Sequence, residues 1–429
     1  MHVKINGGQI VNGELIPSGN KNSIVALIPC SILFDKPVEF SNVPNITDVD
    51  RLCKIMNKLG SKIEWDKNYG RMRIDNSNIR FDNLDKQDLG NMKGTSLLWG
   101  PMLARFGKVG FQDLPGGCTL GLRPLGPHYD SFKALGVVVK NGERKVYMDA
   151  TKAFATQVWL PEMSPTITEN IIMLATSLKG KTTIIGAASE PNVQEMCSFL
   201  VSCGADIMGI GSSVLTINGN KYLNQKGIHE IYPDHHEITT FLALAAATGG
   251  YIKVKNTHPE LFTHINYIFS KLGVHVQNTG GFSIVDQKKL PRIYPGEAGY
   301  LIIRAQPWPG LLVDLLPMFI PIVLKARKGQ VLFHNWMYEA GLFWTSELTK
   351  LGANIIMADP HRVIVSAGKK LHGAQLEAPY IIRAVVSMVM CALIAEGQTT
   401  ILNADALYRG HPNFKENLHK LGVEIKEFD

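Results

Sequence analysis

One helix-ending phrase occurs six times in this chain, and it limits the possible folds more than any other feature. It appears as Lys58-Leu59-Gly60-Ser61-Lys62-Ile63, Ala134-Leu135-Gly136-Val137-Val138-Val139 and Ser202-Cys203-Gly204-Ala205-Asp206-Ile207. It returns as Lys271-Leu272-Gly273-Val274-His275-Val276, Lys350-Leu351-Gly352-Ala353-Asn354-Ile355 and Lys420-Leu421-Gly422-Val423-Glu424-Ile425. With glycines at 60, 136, 204, 273, 352 and 422, the successive gaps are 76, 68, 69, 79 and 70 residues. Each glycine suits the left-handed position that ends a helix, and the alternation after it predicts a strand.

A second phrase, a strand entered from a long apolar helix, precedes each copy of the first. Its copies begin at Lys36-Pro37-Val38, Gly107-Lys108-Val109, Gly180-Lys181-Thr182, Gly250-Tyr251-Ile252, Gly329-Gln330-Val331 and Gly397-Gln398-Thr399. Each unit therefore reads helix, strand, helix, strand, with further strands between units. Units of about seventy residues exceed ordinary solenoid repeats. A chain of 429 residues is too long for one ordinary core. Two domains of three units each is the natural grouping. The segments Asn22–Phe34, Thr166–Leu178, Glu237–Thr248 and Arg383–Ala395 are apolar around most of their circumference. Such helices belong inside a domain, with the sheets outside.

The chemistry concentrates in Leu114-Pro115-Gly116-Gly117-Cys118-Thr119-Leu120-Gly121-Leu122-Arg123-Pro124. Proline and glycine make this a loop that can approach a ligand closely. A thiol near a guanidinium gives up or shares its proton more readily than a free one. Cys118 with Arg123 is thus equipment for a nucleophile or a general acid on an anionic substrate; a tight turn with an incidental cysteine is the plainer alternative. A second anion signal is Ser18-Gly19-Asn20-Lys21-Asn22. Ser18 or Asn20 can cap the helix that follows. Lys21 stands at its positive end, where a cation is misplaced unless an anion joins it.

Several classes are excluded. No metal-ligand cysteine pairing links the six cysteines at 30, 53, 118, 197, 203 and 391, and Cys30, Cys53 and Cys391 fit core positions. The start has no signal-peptide apolar region, and the run from Ile24 to Phe34 is too short for a bilayer. These features fit a cytoplasmic protein without a membrane segment. The net charge of +7 is spread along the chain and forms no nucleic-acid stripe. Ser18-x-x-Lys21 lacks the S-D-N and K-T-G companions of the penicillin-binding motif. Asp234-His235-His236-Glu237 looks metal-like, but adjacent side chains at a helix start are expected to point apart. Trp308 and Trp336 are expected to be packing residues.

Taken together, S-G-N-K-N near the start, L-P-G-G-C-T-L-G-L-R-P, the six L-G or C-G repeats and Arg409-Gly410 near the end resemble one family. This is the UDP-N-acetylglucosamine enolpyruvyl transferase (MurA) group of the EPSP synthase-like enolpyruvyl transferases. The resemblance runs from about residue 4 to the C-terminus. It implies an α/β fold of two inside-out α/β barrel domains, each of three βαβαββ repeats. The first domain, carrying the Cys118 loop, would span 21–229. The second would combine 1–20 with 230–429, with the active site in the cleft between the two. The implied partners are phosphoenolpyruvate and a uridine nucleotide acceptor, with no cofactor and no metal, in a monomer or weak oligomer.

That chemistry adds an acceptor hydroxyl to C2 of phosphoenolpyruvate and then eliminates phosphate. It needs cations for the phosphate and the carboxylate, an acid for C3 and a base for the hydroxyl. The resemblance implies Lys21, Arg123 and Arg409 as phosphate-side cations and Arg383 as a carboxylate-side arginine. It implies Cys118 as the acid alkylated by fosfomycin, Asp314 as the carboxylate handling the hydroxyl proton, and Asn22 as a contact to the acceptor sugar.

Four positions depart from the family pattern. In Tyr338-Glu339-Ala340-Gly341, Gly341 takes the place of a second carboxylate-binding arginine. A charged donor lost from a buried anion site costs about 1.5–3 kcal/mol. Lys93 stands where the family has arginine, and a bidentate contact is lost with it. Leu125-Gly126-Pro127-His128 lacks the usual acidic residue. Glu162 replaces a lysine that helps hold the diphosphate. Gly126 and Glu162 favour an acceptor other than UDP-N-acetylglucosamine, such as uridine monophosphate in nucleoside natural-product biosynthesis. Gly341 favours a catalytically inactive nucleotide-sugar-binding relative.

Overall fold

The structure is a computed structural model. It describes every residue except 81–92, 112–123, 143–144, 221 and 297–298, and Lys93 without its side chain. The described chain divides into two compact units. One joins Met1–Ser18 to Pro233–Asp429, and the other holds the described residues from Gly19 to Tyr232. The chain passes between units at 18/19 and 232/233, where the resemblance implies 20/21 and 229/230.

Each unit carries three sheets, four-stranded apart from a three-stranded one formed by Lys108–Phe111, Val138–Asn141 and Val146–Asp149. The recurring arrangement is clearest in the sheet of Leu301–Arg304, Gln330–His334, Asn354–Asp359 and Arg362–Ser366. Leu301–Arg304 runs parallel to Gln330–His334, which pairs antiparallel with the second strand of the hairpin. The parallel step encloses the helix Leu316–Lys325, the crossover that parallel strands require. None of the described sheets closes into a barrel.

Both units are completed by distant segments. His2–Asn6 pairs antiparallel with Gln398–Leu402 and with Ile425–Phe428. His229–Glu230 joins Val38–Ser41 in the other unit.

The apolar helices lie inside, as their composition requires. Lys21–Cys30, Trp99–Phe106 and Pro165–Ala175 fill one unit; His235–Thr248, Leu316–Lys325 and Ile382–Ile394 fill the other. Every residue of His235–Thr248 is buried, and so is every residue from Arg383 to Leu393. A helix with no polar face has nothing to offer solvent, so sheets and outer helices cover it on all sides. The amphipathic helix Thr47–Lys58 shows the outer type: Val49, Leu52, Ile55 and Met56 face in, and Lys58 points out.

The six repeat glycines all take positive φ: 101° at Gly60, 81° at Gly136, 108° at Gly204, 72° at Gly273, 84° at Gly352 and 79° at Gly422. A side chain is strained there by about 1–2 kcal/mol. Packing adds to this at Gly273, where a Cβ would lie 2.6 Å from the backbone N and O of Arg292, whereas at Gly422 it would meet nothing within 4 Å. Gly273→Ala should therefore lower stability by at least about 1 kcal/mol more than Gly422→Ala. Denaturant melts of both variants measure the difference, and equal losses would mean that conformation alone matters.

Candidate active site

In the unit from Gly19 to Tyr232, the site begins at a helix cap. Asn20 is buried, and its Oδ1 accepts from Ser23 N at 2.9 Å and from Ser23 Oγ at 3.2 Å. Asn20 is the cap; Ser18 belongs to the other unit, where it hydrogen-bonds Glu237. Lys21 opens the helix, and no acidic residue stands in its first turn. The ammonium finds its anion across the fold: Lys21 Nζ lies 2.5 Å from Asp48 Oδ2, with the Lys21 side chain 16% and that of Asp48 4% exposed. Asp48 comes from the first turn of Thr47–Lys58, where a carboxylate suits the helix dipole. Asn22, next along, is exposed.

The other unit repeats the pattern. Asp314 sits half-buried in the single turn Val313–Leu315 that opens Leu316–Lys325. Arg383 is the second residue of Ile382–Ile394, again with no acidic residue in the first turn. Lys21, Asp314 and Arg383 thus all stand at the N-terminal ends of buried helices, where backbone N–H groups favour anionic ligands. Arg409 ends the turn Ala404–Arg409, with its guanidinium 4.7 Å from the centre of the Tyr380 ring.

Around Arg383 lies a buried polar cluster. Arg383 Nη1 donates to His411 Nε2 at 2.6 Å. Burial, then the charge of Arg383, holds the His411 imidazole well below its ordinary range. Asp234 caps His235–Thr248, and its Oδ1 accepts from His236 N at 2.8 Å and lies 3.0 Å from His236 Nδ1. Burial opposes its charge, but His236 and Arg383 together keep the Asp234 carboxyl well below the usual carboxylate range. His235 is held below its usual range by burial and by His236. Glu237 accepts from Ser18 N at 2.8 Å, Ser18 Oγ at 2.5 Å and Asn417 Nδ2 at 3.1 Å. Burial nevertheless pushes its carboxyl up to about 7.

The expectation that Asp234, His235 and His236 point apart does not hold. Their ligand atoms lie within 4.8 Å of one another, because Asp234 precedes the helix in extended conformation and folds back over its first turn. Its oxygen is occupied in capping.

Residues 5–418 match EPSP synthase (3-phosphoshikimate 1-carboxyvinyltransferase). The chain belongs to the EPSP synthase family. A relative named UDP-N-acetylglucosamine 1-carboxyvinyltransferase from Borreliella burgdorferi is 34% identical over 424 residues, covering 99% of this chain and 98% of the relative. One of the same name from Treponema denticola is 35% identical over 424 residues, covering 98% of each chain. The crystal structure of the enolpyruvyl transferase NikO from Streptomyces tendae superposes with a TM-score of 0.87 at 20% identity, covering 99% of this chain and 98% of that one. An Acinetobacter baumannii EPSP synthase superposes with a TM-score of 0.73 at 17% identity and full coverage of both chains.

Within this EPSP synthase-family chain, the expected residues that can be placed divide between the units. Lys21 and Asn22 stand on one; Asp314, Arg383 and Arg409 stand on the other. Cys118 and Arg123 lie outside the described residues, as does the side chain of Lys93. Lys93 itself opens the short turn Lys93–Leu98. Glu162 is exposed, and a Cβ at Gly126 would meet nothing within 4 Å. His128 is buried, 3.1 Å from Thr166 Oγ1 and edge-on to Trp99. Gly341 is crowded: a Cβ there would lie 2.1 Å from Asn335 Nδ2.

Trp308 packs against the core, as expected, but Trp336 is 53% exposed. Trp336 donates Nε1–H to Ala305 O at 2.7 Å and helps to line a surface pocket of ≈ 340 Å³ with Arg304, Gln306, His334 and Arg362. None of the expected site residues lines it, and Arg362 there is already paired with Asp359 at 2.5 Å.

Asp48 and His411 escaped the sequence reading. Neither belongs to a motif of its own, and each meets its partner, Lys21 or Arg383, only through the fold.

Proposed function

We propose that this chain transfers the enolpyruvyl group of phosphoenolpyruvate to a hydroxyl of a uridine nucleotide, with UDP-N-acetylglucosamine as the leading acceptor, and releases phosphate. The observation that carries the reading is the end-to-end identity of 34–35% to chains named for that transfer. In this reading residues of both units serve one reaction. Cys118 gives a proton to C3, and positive character develops at C2. The acceptor oxygen bonds to C2 while Asp314 takes the hydroxyl proton. The bond from C2 to the phosphate oxygen then breaks and phosphate leaves, while C3 returns a proton to the Cys118 thiolate and the enol ether forms. Lys21, Arg123 and Arg409 face the phosphate; Arg383 faces the carboxylate; Asn22 and Lys93 help to hold substrate. The five described cysteines are buried free thiols, which suits a reducing cytoplasm.

The open surroundings of Gly126 and the exposed Glu162 support a second reading, in which the acceptor is another nucleotide such as uridine monophosphate. One assay separates the two. Phosphate release from phosphoenolpyruvate is measured with UDP-N-acetylglucosamine, uridine monophosphate and uridine in turn, with and without fosfomycin pretreatment. Release with the first, abolished as fosfomycin adds one label at Cys118, is the expected result. Release with uridine monophosphate alone selects the second reading. No release with any acceptor leaves a nucleotide-binding relative without the activity.

A further inference from the structure

The buried cluster around Arg383 contains a residue that nothing above assigns to the reaction. His411 is 0% exposed and stands two positions after Arg409. A guanidinium only donates, so the 2.6 Å contact from Arg383 Nη1 makes His411 Nε2 an acceptor. The ring proton must then sit on Nδ1, and Nδ1 has no hydrogen-bond partner among the described residues. A buried donor left without a partner is costly, so a role merely in packing would be better served by an apolar ring. The neighbours already provide such packing: His411 lies against Phe414, with ring centres 5.4 Å apart.

The approach of the two side chains is built into the backbone. A Cβ at Gly410 would lie 2.9 Å from Ile382 Cγ2 and 3.8 Å from Arg383 Nη1. The glycine between Arg409 and His411 therefore lets this turn close over the start of Ile382–Ile394. A long arginine side chain has many rotamers, and fixing one of them requires a partner for its donors. In most buried arginines that partner is a carboxylate, which would also neutralise the charge. An imidazole acceptor orients the guanidinium and leaves the charge available to a ligand.

We propose that His411 is a positioning residue: it accepts one N–H of Arg383 and thereby aims the remaining donors of that guanidinium at the carboxylate of phosphoenolpyruvate. The proposal rests on the reading of Arg383 as the carboxylate-side arginine. With glycine at position 341, a site with one carboxylate arginine depends more on how that arginine is held. Asp234 and His236 face the same pair and set its electrostatic surroundings.

The test compares His411→Phe, which keeps a ring without an acceptor, with His411→Gln, which places an amide oxygen near the Nε2 position. His411→Asn is the control too short to reach. Michaelis constants for phosphoenolpyruvate and acceptor, direct calorimetric binding of phosphoenolpyruvate and melting temperature are measured for each. His411→Phe and His411→Asn should raise the phosphoenolpyruvate constant about tenfold or more, leave the acceptor constant within about twofold, and be rescued in His411→Gln. If His411→Phe fails to fold, the contrast of Gln with Asn carries the same test. An unchanged phosphoenolpyruvate constant in the variants lacking an acceptor overturns the proposal. So does a parallel change in both substrate constants, which would make the role structural. Wild-type protein that binds no phosphoenolpyruvate at all sinks the reading of Arg383 and this proposal with it, an outcome distinct from the other two.

Discussion

Asp314→Ala should lower turnover at least ~100-fold, the usual scale for loss of a general base, with the fold intact. The side chain is half-buried in a single turn ahead of Leu316–Lys325, so its truncation opens no large cavity. Its structural contribution is the favourable interaction of a carboxylate with the helix N-terminus, worth about 0.3–1 kcal/mol. The large and small effects therefore separate cleanly: turnover falls by two decades or more while the melting temperature moves little. Asp314→Asn refines the test, because the amide keeps the shape and cannot take up the hydroxyl proton. It should be nearly as slow as the alanine variant, with substrate constants close to wild type. Near-normal turnover in either variant would remove Asp314 from the mechanism. A loss of turnover matched by a loss of folded protein would mean that the residue acts through the structure of its turn.

What was legible in the sequence depended on the range over which each signal acts. The repeat glycines report a local requirement, a left-handed residue at a helix end, so all six could be read directly. The buried helices were equally plain, because an apolar circumference is a property of one segment. Lys21 was legible as an oddity: a cation at a helix start needs an anion. The anion that the fold brings, Asp48, lies 27 positions away on another helix, and no local pattern pairs the two. The Arg383–His411 contact is hidden for the same reason. Ser18 could equally have been a cap, and only the tertiary contact with Glu237 decides against it. Asp234 stands one position before the helix, in extended conformation, so the divergence of adjacent helical side chains does not govern it. Cys118 and Arg123 belong to an unusually specific loop motif, and the fosfomycin experiment tests their role.

Position 341, where the resemblance implies a second carboxylate-binding arginine, is a glycine in crowded surroundings. Gly341→Arg alone would place a Cβ 2.1 Å from Asn335 Nδ2. Asn335 cannot easily move aside: it is buried, its Oδ1 accepts from Tyr338 N at 3.1 Å, and its backbone N–H donates to His361 O at 2.8 Å. Forcing side-chain atoms into such a site costs about 1–3 kcal/mol. The single variant should therefore melt earlier and bind phosphoenolpyruvate no more tightly than wild type. Asn335→Ala removes the obstructing amide at the loss of one turn hydrogen bond, about 0.5–1.5 kcal/mol. Combining the two should be less destabilising than the sum of the single changes, since the sites share the clash. With room for the guanidinium, the restored contact of ~1.5–3 kcal/mol corresponds to a phosphoenolpyruvate constant about 10- to 100-fold lower. Melting curves and phosphoenolpyruvate titrations of the wild type, both single variants and the double variant complete the cycle. A folded double variant with an unchanged constant would mean that position 341 does not reach the carboxylate in this chain. Strictly additive stability losses would mean that Asn335 is not what excludes a side chain there.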